Sequence, residues 1–278
     1  MTDTTTNDTL RAQVREHYGK VAVAPAAVGC APSCCAPSGG DASLALGYSA
    51  DELAAAPEGA NLGLGCGNPQ AIASLAAGET VLDLGSGAGF DCFLAARQVG
   101  PRGRVIGVDM TPAMLAKARE NAAKVDATNV EFRMGEIEHL PLGDGEVDVV
   151  ISNCVVNLSP DKPAVYREAF RVLKPGGRVA ISDVVMLRPI PEHLKGEALA
   201  LSACVAGAAS VPDVEAMLRT AGFTDVKVDV SERSRDFIAG WLPGSRAEDY
   251  VASASIQAKK PARAKKAAGA CCPPGGCG

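Results

Sequence analysis

The stretch that most constrains this chain is Asp83-Leu84-Gly85-Ser86-Gly87-Ala88-Gly89. It follows a short apolar run, Thr80–Leu84, and precedes an apolar-periodic segment, Phe90–Val99. A glycine-rich turn between a strand and a helix lets backbone approach a ligand closely. Arg104–Val108 predicts a second strand, and Asp109 follows it, where a carboxylate can accept from two ribose hydroxyls. A glycine loop alone also suits a plain tight turn. The order strand, loop, helix, strand, acid is what makes this one a nucleotide-type site.

The same alternation continues downstream. Thr111 is placed as N-cap and Pro112 in the first turn of a helix reaching Lys124, with Met114, Leu115, Ala118 and Ala122 on one face. Val130–Met134 and Val147–Ser152 predict the third and fourth strands. Asp161–Leu173 predicts a helix stopped by Pro175-Gly176-Gly177, and Arg178–Asp183 a fifth strand. Val211–Ala221 is helical, and Asp225–Val230 and Tyr250–Ala258 are two further strands separated by a long loop. Strands alternating with helices imply an α/β, Rossmann-like, mostly parallel sheet. Ahead of it, residues 1–60 form a Cys-containing arm with one helix near Thr9–Tyr18. Residues 61–186 are the ligand-binding core, 187–258 complete the sheet and the acceptor region, and 259–278 form a disordered basic tail.

Composition narrows the partners. The 278 residues carry a net charge of −5, and five cations crowd into Lys259–Lys266, so the rest is more acidic still. An acidic body is a poor nucleic-acid binder, and the basic run reads as a solvated linker. No run approaches the ~18 apolar residues of a membrane span. The N-terminus has acidic residues and no apolar signal core, which points to the cytosol. Ten cysteines in such a chain do not suit a disulfide scaffold. In a reducing compartment clustered thiols bind soft ions or carry out redox chemistry.

The glycine spacing is G-x-G-x-G, and Phe90 stands where a dinucleotide loop needs its last glycine. Asp83 would repel a pyrophosphate and suits a cationic ligand. The stretch VLDLGSGAGFDCFLA…GRVIGVDMTPAML resembles the seven-stranded class I methyltransferases, whose cofactor S-adenosylmethionine carries an ammonium and a sulfonium. The resemblance implies that Asp83, Gly85, Ser86, Gly87 and Gly89 hold the methionine end and Asp109 the ribose. Met110 is expected to pack on adenine, Gly135, Glu136 and Ile137 to flank its amine, and Asn153 to face the methyl donor.

Cys154 follows the fourth strand, where an acceptor would approach in an open α/β sheet. A thiol beside a methyl donor makes sense if it holds a soft acceptor. Trivalent arsenic bound to thiolates keeps a lone pair and needs no general base. The blocks NLGLGCGNP (61–69), SNCVVNLSPDK (152–162) and CVAGA (204–208) resemble the arsenite methyltransferases, chiefly their bacterial branch, over roughly residues 11–258. The resemblance implies that Cys66, Cys154 and Cys204 bind As(III), arriving as arsenite or a thiol conjugate. It implies a redox partner for Cys66 in the arm, where Cys35 is favoured on spacing over Cys34 and Cys30, with thioredoxin or a small thiol as reductant. It also points to Tyr18-Gly19 in an arm folded over the cofactor. A free cysteine is usually a small buried hydrophobe, and Cys92 is read that way. His17, His139 and His193 are read as surface or turn residues and Asp144 as turn chemistry. Cys271, Cys272 and Cys277 in the tail either capture metalloid or form an oxidisable end. The rival enzyme is a quinone-type C- or O-methyltransferase, which needs no cysteines, and the non-enzyme rival is a thiol-rich arsenic-sequestering protein.

Overall fold

The computed structural model describes residues 2–23, 43–191, 194, 204–241 and 244–262. Cys30, Cys34, Cys35, His193 and the tail cysteines lie outside them. The chain runs α1 (Thr2–Val23), α2 (Ala50–Ala55), α3 (Pro69–Ala73), β1 (Thr80–Leu84), α4 (Phe90–Val99), β2 (Arg104–Asp109), α5 (Pro112–Lys124), β3 (Val130–Met134) and β4 (Val147–Asn153). It continues through α6 (Lys162–Val172), β5 (Leu173–Met186), β6 (Ala209–Ser210), α7 (Val211–Ala221), β7 (Thr224–Val230), α8 (Ser234–Ala239) and β8 (Val251–Lys259).

One sheet has the order β3-β2-β1-β4-β5-β8-β7, and the two-residue β6 pairs with β5 off that path. Strands β1 to β5 are parallel neighbours, while β8 runs antiparallel to both β5 and β7. The apolar runs read from the sequence are continuous because both sheet faces are buried. Leu82, Ile106, Val150 and Ile181 pack on one face, and Val81, Val105, Val149 and Ala180 on the other. The chain leaves β1 toward β2 and β3 on one side and returns to β4 and β5 on the other. The switch point between β1 and β4 is the crevice where such sheets bind ligands.

Several boundaries differ from expectation. The N-terminal helix is longer than Thr9–Tyr18, because Val21 and Ala22 pack on Met114 of α5. Thr111 sits at the N-cap of α5, but its side chain makes no capping bond. Its N–H donates instead to Asp109 Oδ1 at 2.7 Å. Pro175-Gly176-Gly177 ends α6 yet stays in the sheet, since the backbones of Gly176 and Gly177 exchange hydrogen bonds with Lys260. The tail therefore starts later than residue 259: Lys259 belongs to β8, and Lys260 donates to the carbonyls of Phe170 and Leu173 at 2.6 and 2.7 Å. The long loop before β8 contains α8 and a 3-10 turn, Ala247–Asp249.

β1 is an interior strand between β2 and β4, and Leu82 is fully buried in it. Leu82→Ala should lower unfolding free energy by about 2–5 kcal/mol. Val230→Thr, on the exposed edge strand, should stay within about 0.5 kcal/mol. Urea denaturation of both variants measures the contrast, and equal losses would place the core elsewhere.

Candidate active site

A cavity opens at the carboxyl ends of β1, β2 and β4. Its wall includes Asp83, Gly85, Ser86, Gly87, Asp91, Asp109, Met110, Gly135, Ile137, Glu138, Asn153, Cys154 and Cys204. The glycine loop turns under it. Gly85 has φ +70°, and a Cβ there would overlap the Val155 side chain. The loop therefore lies directly on the segment that follows β4. Asp109 Oδ2 accepts from Gly87 N–H at 3.0 Å, which ties the loop to the end of β2. Ser86 Oγ is buried without a hydrogen-bond partner on this wall, and nothing stands within 4 Å of where a Cβ at Gly87 would sit.

The loop end of the cavity is acidic. Burial and the neighbouring Asp91 push the Asp83 carboxyl well above its usual range, with the Cys92 thiol, 3.3 Å away, partly opposing. Burial raises Asp91 to about 6, against hydrogen bonds from Tyr48, Asn153 and Gln70. Burial also raises Asp109, against the Thr111 and Gly87 amides. Buried carboxylates facing one another suit a ligand that brings positive charge. Cys92 is buried, as expected, and also serves as the donor to Asp83.

α1 forms the roof. Arg11 reaches Glu138 Oε1 at 3.3 Å, and Ser159 Oγ donates to the same oxygen at 2.6 Å. Tyr18 lines the cavity, in keeping with an arm folded over it, and so does His17, edge-on to the Tyr18 ring at 5.2 Å. His17 is therefore a wall residue and not the surface residue its lack of sequence partners implied. His139 is exposed in a turn, and Asp144 pairs with Arg171 at 2.8 Å. Glu136 stands off the wall and faces Arg11 and Arg15 at 3.6 and 3.9 Å; Glu138, two residues on, takes the cavity position. Gly89 is also off the wall, where it caps α4 with φ +92°.

The far end holds the cysteines. Cys66 and Cys154 are joined as a disulfide, with Cα atoms 5.7 Å apart. Cys204 Sγ lies 2.9 Å from the Cys154 carbonyl oxygen. The expected arm partner of Cys66 lies outside the described residues; within them Cys66 meets Cys154, and the reason is local. Asn153 Oδ1 accepts the Cys66 N–H at 3.0 Å, and Ser253 Oγ donates to the Cys66 carbonyl, so both peptide groups hold Cys66 against the end of β4. Cys154 and Cys204 both adopt left-handed backbone, φ +58° and +62°, a conformation that side chains seldom take without a structural constraint. For Cys154 part of that constraint is its N–H bond to Ser182 O at 2.8 Å.

The motif residues around the cysteines have structural work. Asn157 donates through its backbone and side chain to Asp183, fixing the 3-10 turn Val156–Leu158 against β5. Asp161 caps α6, and Lys162 Nζ donates to the Ser159 carbonyl at 3.2 Å. Gly207 abuts the Asn157 carbonyl so closely that a Cβ would overlap it. Asp183, unmarked by any sequence spacing, brings a carboxylate oxygen within 4.8 Å of the Cys66 and Cys154 sulfurs. Burial and then Asp183 push the Cys204 thiol well above the usual range, with Lys162 opposing. Phe237 and Trp241 complete an apolar wall at this end.

Residues 75–222 match the family described as methyltransferase domain. A crystal structure of CrArsM, an arsenic (III) S-adenosylmethionine methyltransferase from Chlamydomonas reinhardtii, is 35% identical, covering 79% of this chain and 73% of that one with a TM-score of 0.56. The chain belongs to the arsenite methyltransferase family. The arsenite methyltransferase of Halobacterium salinarum is 60% identical over 218 residues, 78% of this chain and 56% of that protein. That of Aquipseudomonas alcaligenes is 45% identical over 171 residues, 59% of this chain and 49% of that protein. The chain thus spans about half the length of these curated relatives.

Asp91 carries the sign of a testable pH effect. A carboxyl whose folded pKa is raised to about 6 binds its proton more tightly folded than unfolded, so it destabilises the ligand-free fold above pH 6 and ceases to do so as pH falls toward 4. Asp91→Asn should gain stability relative to the unsubstituted protein as pH rises from 4 to 7. Thermal unfolding across that range measures the gap, and a gap independent of pH would contradict the assignment.

Proposed function

We propose that this chain transfers a methyl group from S-adenosylmethionine to trivalent arsenic held by Cys66, Cys154 and Cys204. The observation that carries the reading is a single cavity with an acidic glycine loop at one end and Cys154 and Cys204 at the other, with Cys66 buried behind the wall against Cys154. Residues 61–186 supply the loop and the first two cysteines. The arm supplies the roof through Arg11, His17 and Tyr18, and residues 187–258 supply Cys204 and Trp241.

The chain's groups fit the cofactor. Asp83 and Asp91 would face its ammonium end, and Asp109 keeps lone pairs for ribose hydroxyls beside its two backbone donors. Ser86 Oγ offers an unused polar atom, and Met110 and Ile137 an apolar slot. When bound, S-adenosylmethionine supplies an electrophilic methyl for the lone pair of thiolate-held arsenic.

The thiols hold the acceptor. Exchange of an arsenic hydroxyl for a cysteine thiol forms one As–S bond and releases one water, so a protonated Cys204 supplies the proton that water needs. Soft sulfur selects soft arsenic over harder ions. The left-handed backbone at Cys154 and Cys204 pre-orients two of the ligands, and the apolar wall of Phe237 and Trp241 keeps water from the cysteine end. The Cys66–Cys154 disulfide must be reduced before arsenic binds, by thioredoxin or a small thiol, with two electrons passing to the cysteine pair. Cys35 stays a candidate second partner for Cys66 in the reset. That need for reduced thiols supports a cytosolic setting. Among the described residues no helix is long and apolar enough to cross a membrane.

Cys154→Ser and Cys204→Ser should each abolish arsenite methylation while S-adenosylmethionine binding persists, because a neutral hydroxyl is a hard, weak ligand for arsenic. Incubating protein, labelled cofactor, As(III) and reductant and assaying methylarsenicals measures this. A Cys154→Ser protein with near-normal arsenite turnover would overturn the thiolate mechanism. Asp109→Ala should weaken cofactor affinity roughly tenfold to a hundredfold, as expected for one lost charge-assisted bond. Unchanged binding by calorimetry would remove Asp109 from the site.

A further inference from the structure

A chain of buried and half-buried polar groups runs from the acidic end of the cavity to Cys66. Asp91, on the cavity wall, begins it in the first turn of α4. The Tyr48 hydroxyl donates to Asp91 Oδ1 at 2.8 Å. Asn153 Nδ2 donates to the Tyr48 oxygen at 3.0 Å and to Gly67 O at 2.8 Å, and stands 3.4 Å from Asp91 Oδ2. Asn153 Oδ1 accepts the Cys66 N–H at 3.0 Å. One carboxamide therefore touches the cavity carboxylate and brackets Cys66 on both sides. Gly65 must lack a side chain for this seat to exist, because a Cβ there would lie 2.9 Å from Asn153 Nδ2.

Cys66 is 1% exposed and is not on the cavity wall. A ligand in the cavity reaches it only through neighbours. Ser253 of β8, which donates to the Cys66 carbonyl, belongs to the rigid sheet, and the Cys66 sulfur packs 3.6 Å from the Ser182 carbonyl of β5. Among the described residues two anchors of Cys66 also meet the cavity: Cys154, through the disulfide, and Asn153, through its hydrogen bond to the Cys66 peptide. A carboxamide is planar, so re-aiming its Nδ2 moves its Oδ1 with it.

We propose that Tyr48, Asp91 and Asn153 link the cofactor cavity to Cys66, so that a cationic ligand group beside Asp91 resets the position of Cys66 and shifts its pairing with Cys154. Tyr48 and Asn153 are positioning residues in this link. The proposal rests on the cofactor reading given above. A ligand cation at Asp91 draws on the oxygens that Tyr48 and Asn153 now share, and the carboxamide passes the change to the Cys66 peptide. Linkage is reciprocal, so the pairing state of Cys66 changes ligand affinity by the same factor as the ligand changes pairing.

The experiment uses the full chain and no arsenic. Glutathione disulfide oxidises the pair: the two thiols lose two electrons and form the S–S bond, and their protons end on two glutathione thiols. Peptide mass mapping verifies Cys66–Cys154. Calorimetry then measures S-adenosylhomocysteine affinity for the reduced and disulfide forms. The unsubstituted protein should show a difference of about fivefold or more, the usual lower range of such coupling. Tyr48→Phe keeps the ring and removes the link. Its two forms should bind about equally, and the glutathione ratio at half-oxidation should no longer move with ligand. Asn153→Ser, which shortens the joint, should behave likewise. Equal affinities in the unsubstituted protein overturn the proposal. So does a difference that survives in both variants, which would assign the coupling to Cys154 on the cavity wall. Failure of both forms to bind S-adenosylhomocysteine overturns the cofactor reading instead, and this proposal with it.

Discussion

The end of β4 is the constraint on which the site depends. There the strand stops pairing with β5 at Asn153 and Ser182, and Cys154 turns into left-handed backbone while its N–H still bonds the Ser182 carbonyl. The turn sends the chain across the crevice instead of along the sheet. It brings Val155 under the glycine loop and delivers Asn157 to Asp183. The short β6 then fills the β5 edge that β4 has vacated, pairing at Val185 and Met186. Cys204 lies just upstream of that strand, which is how a residue fifty positions away meets the Cys154 carbonyl.

The two ends of the cavity are opposite in character. One gathers buried carboxylates whose raised pKa values record unmet demand for positive charge. The other gathers polarisable sulfur and aromatic rings in an apolar cluster. A cation with an apolar body fits the first, and a soft, neutral acceptor fits the second. Low dielectric strengthens both preferences, because solvent does not screen either set of groups. The roof helix is held over both by Arg11 and Glu138, so the arm is part of the same unit.

Much of this was legible in the residue order. Strand–loop–helix periodicity located β1 to β5, and Gly85 and Asp109 were recognisable because a turn that needs positive φ and an acid after the next strand are local signatures. Asp91 was within the recognised loop block but had no assigned role. Glu138, Asp183 and Tyr48 were not legible. Each acts through partners 21 to 43 positions away, and no short spacing encodes such contacts. Glu136 was expected beside the adenine and Glu138 lines the cavity instead, because sequence places a segment beside a site without saying which side chain turns inward. His17 was misread for the same reason: it has no partner nearby in sequence, and only the docking of α1 puts it on the wall.

The sequence by itself determined the sheet and the glycine loop, because these depend on local periodicity and backbone freedom at glycine, and its distinctive short blocks singled out Cys66, Cys154 and Cys204 as candidates. Only the tertiary structure decided which cysteines meet. Pairing Cys66 with Cys154 follows from Asn153 and Ser253 holding one peptide group each, and those contacts span 87 and 187 residues. Geometry of that range exists only once the sheet has assembled and brought the ends of β4, β5 and β8 together.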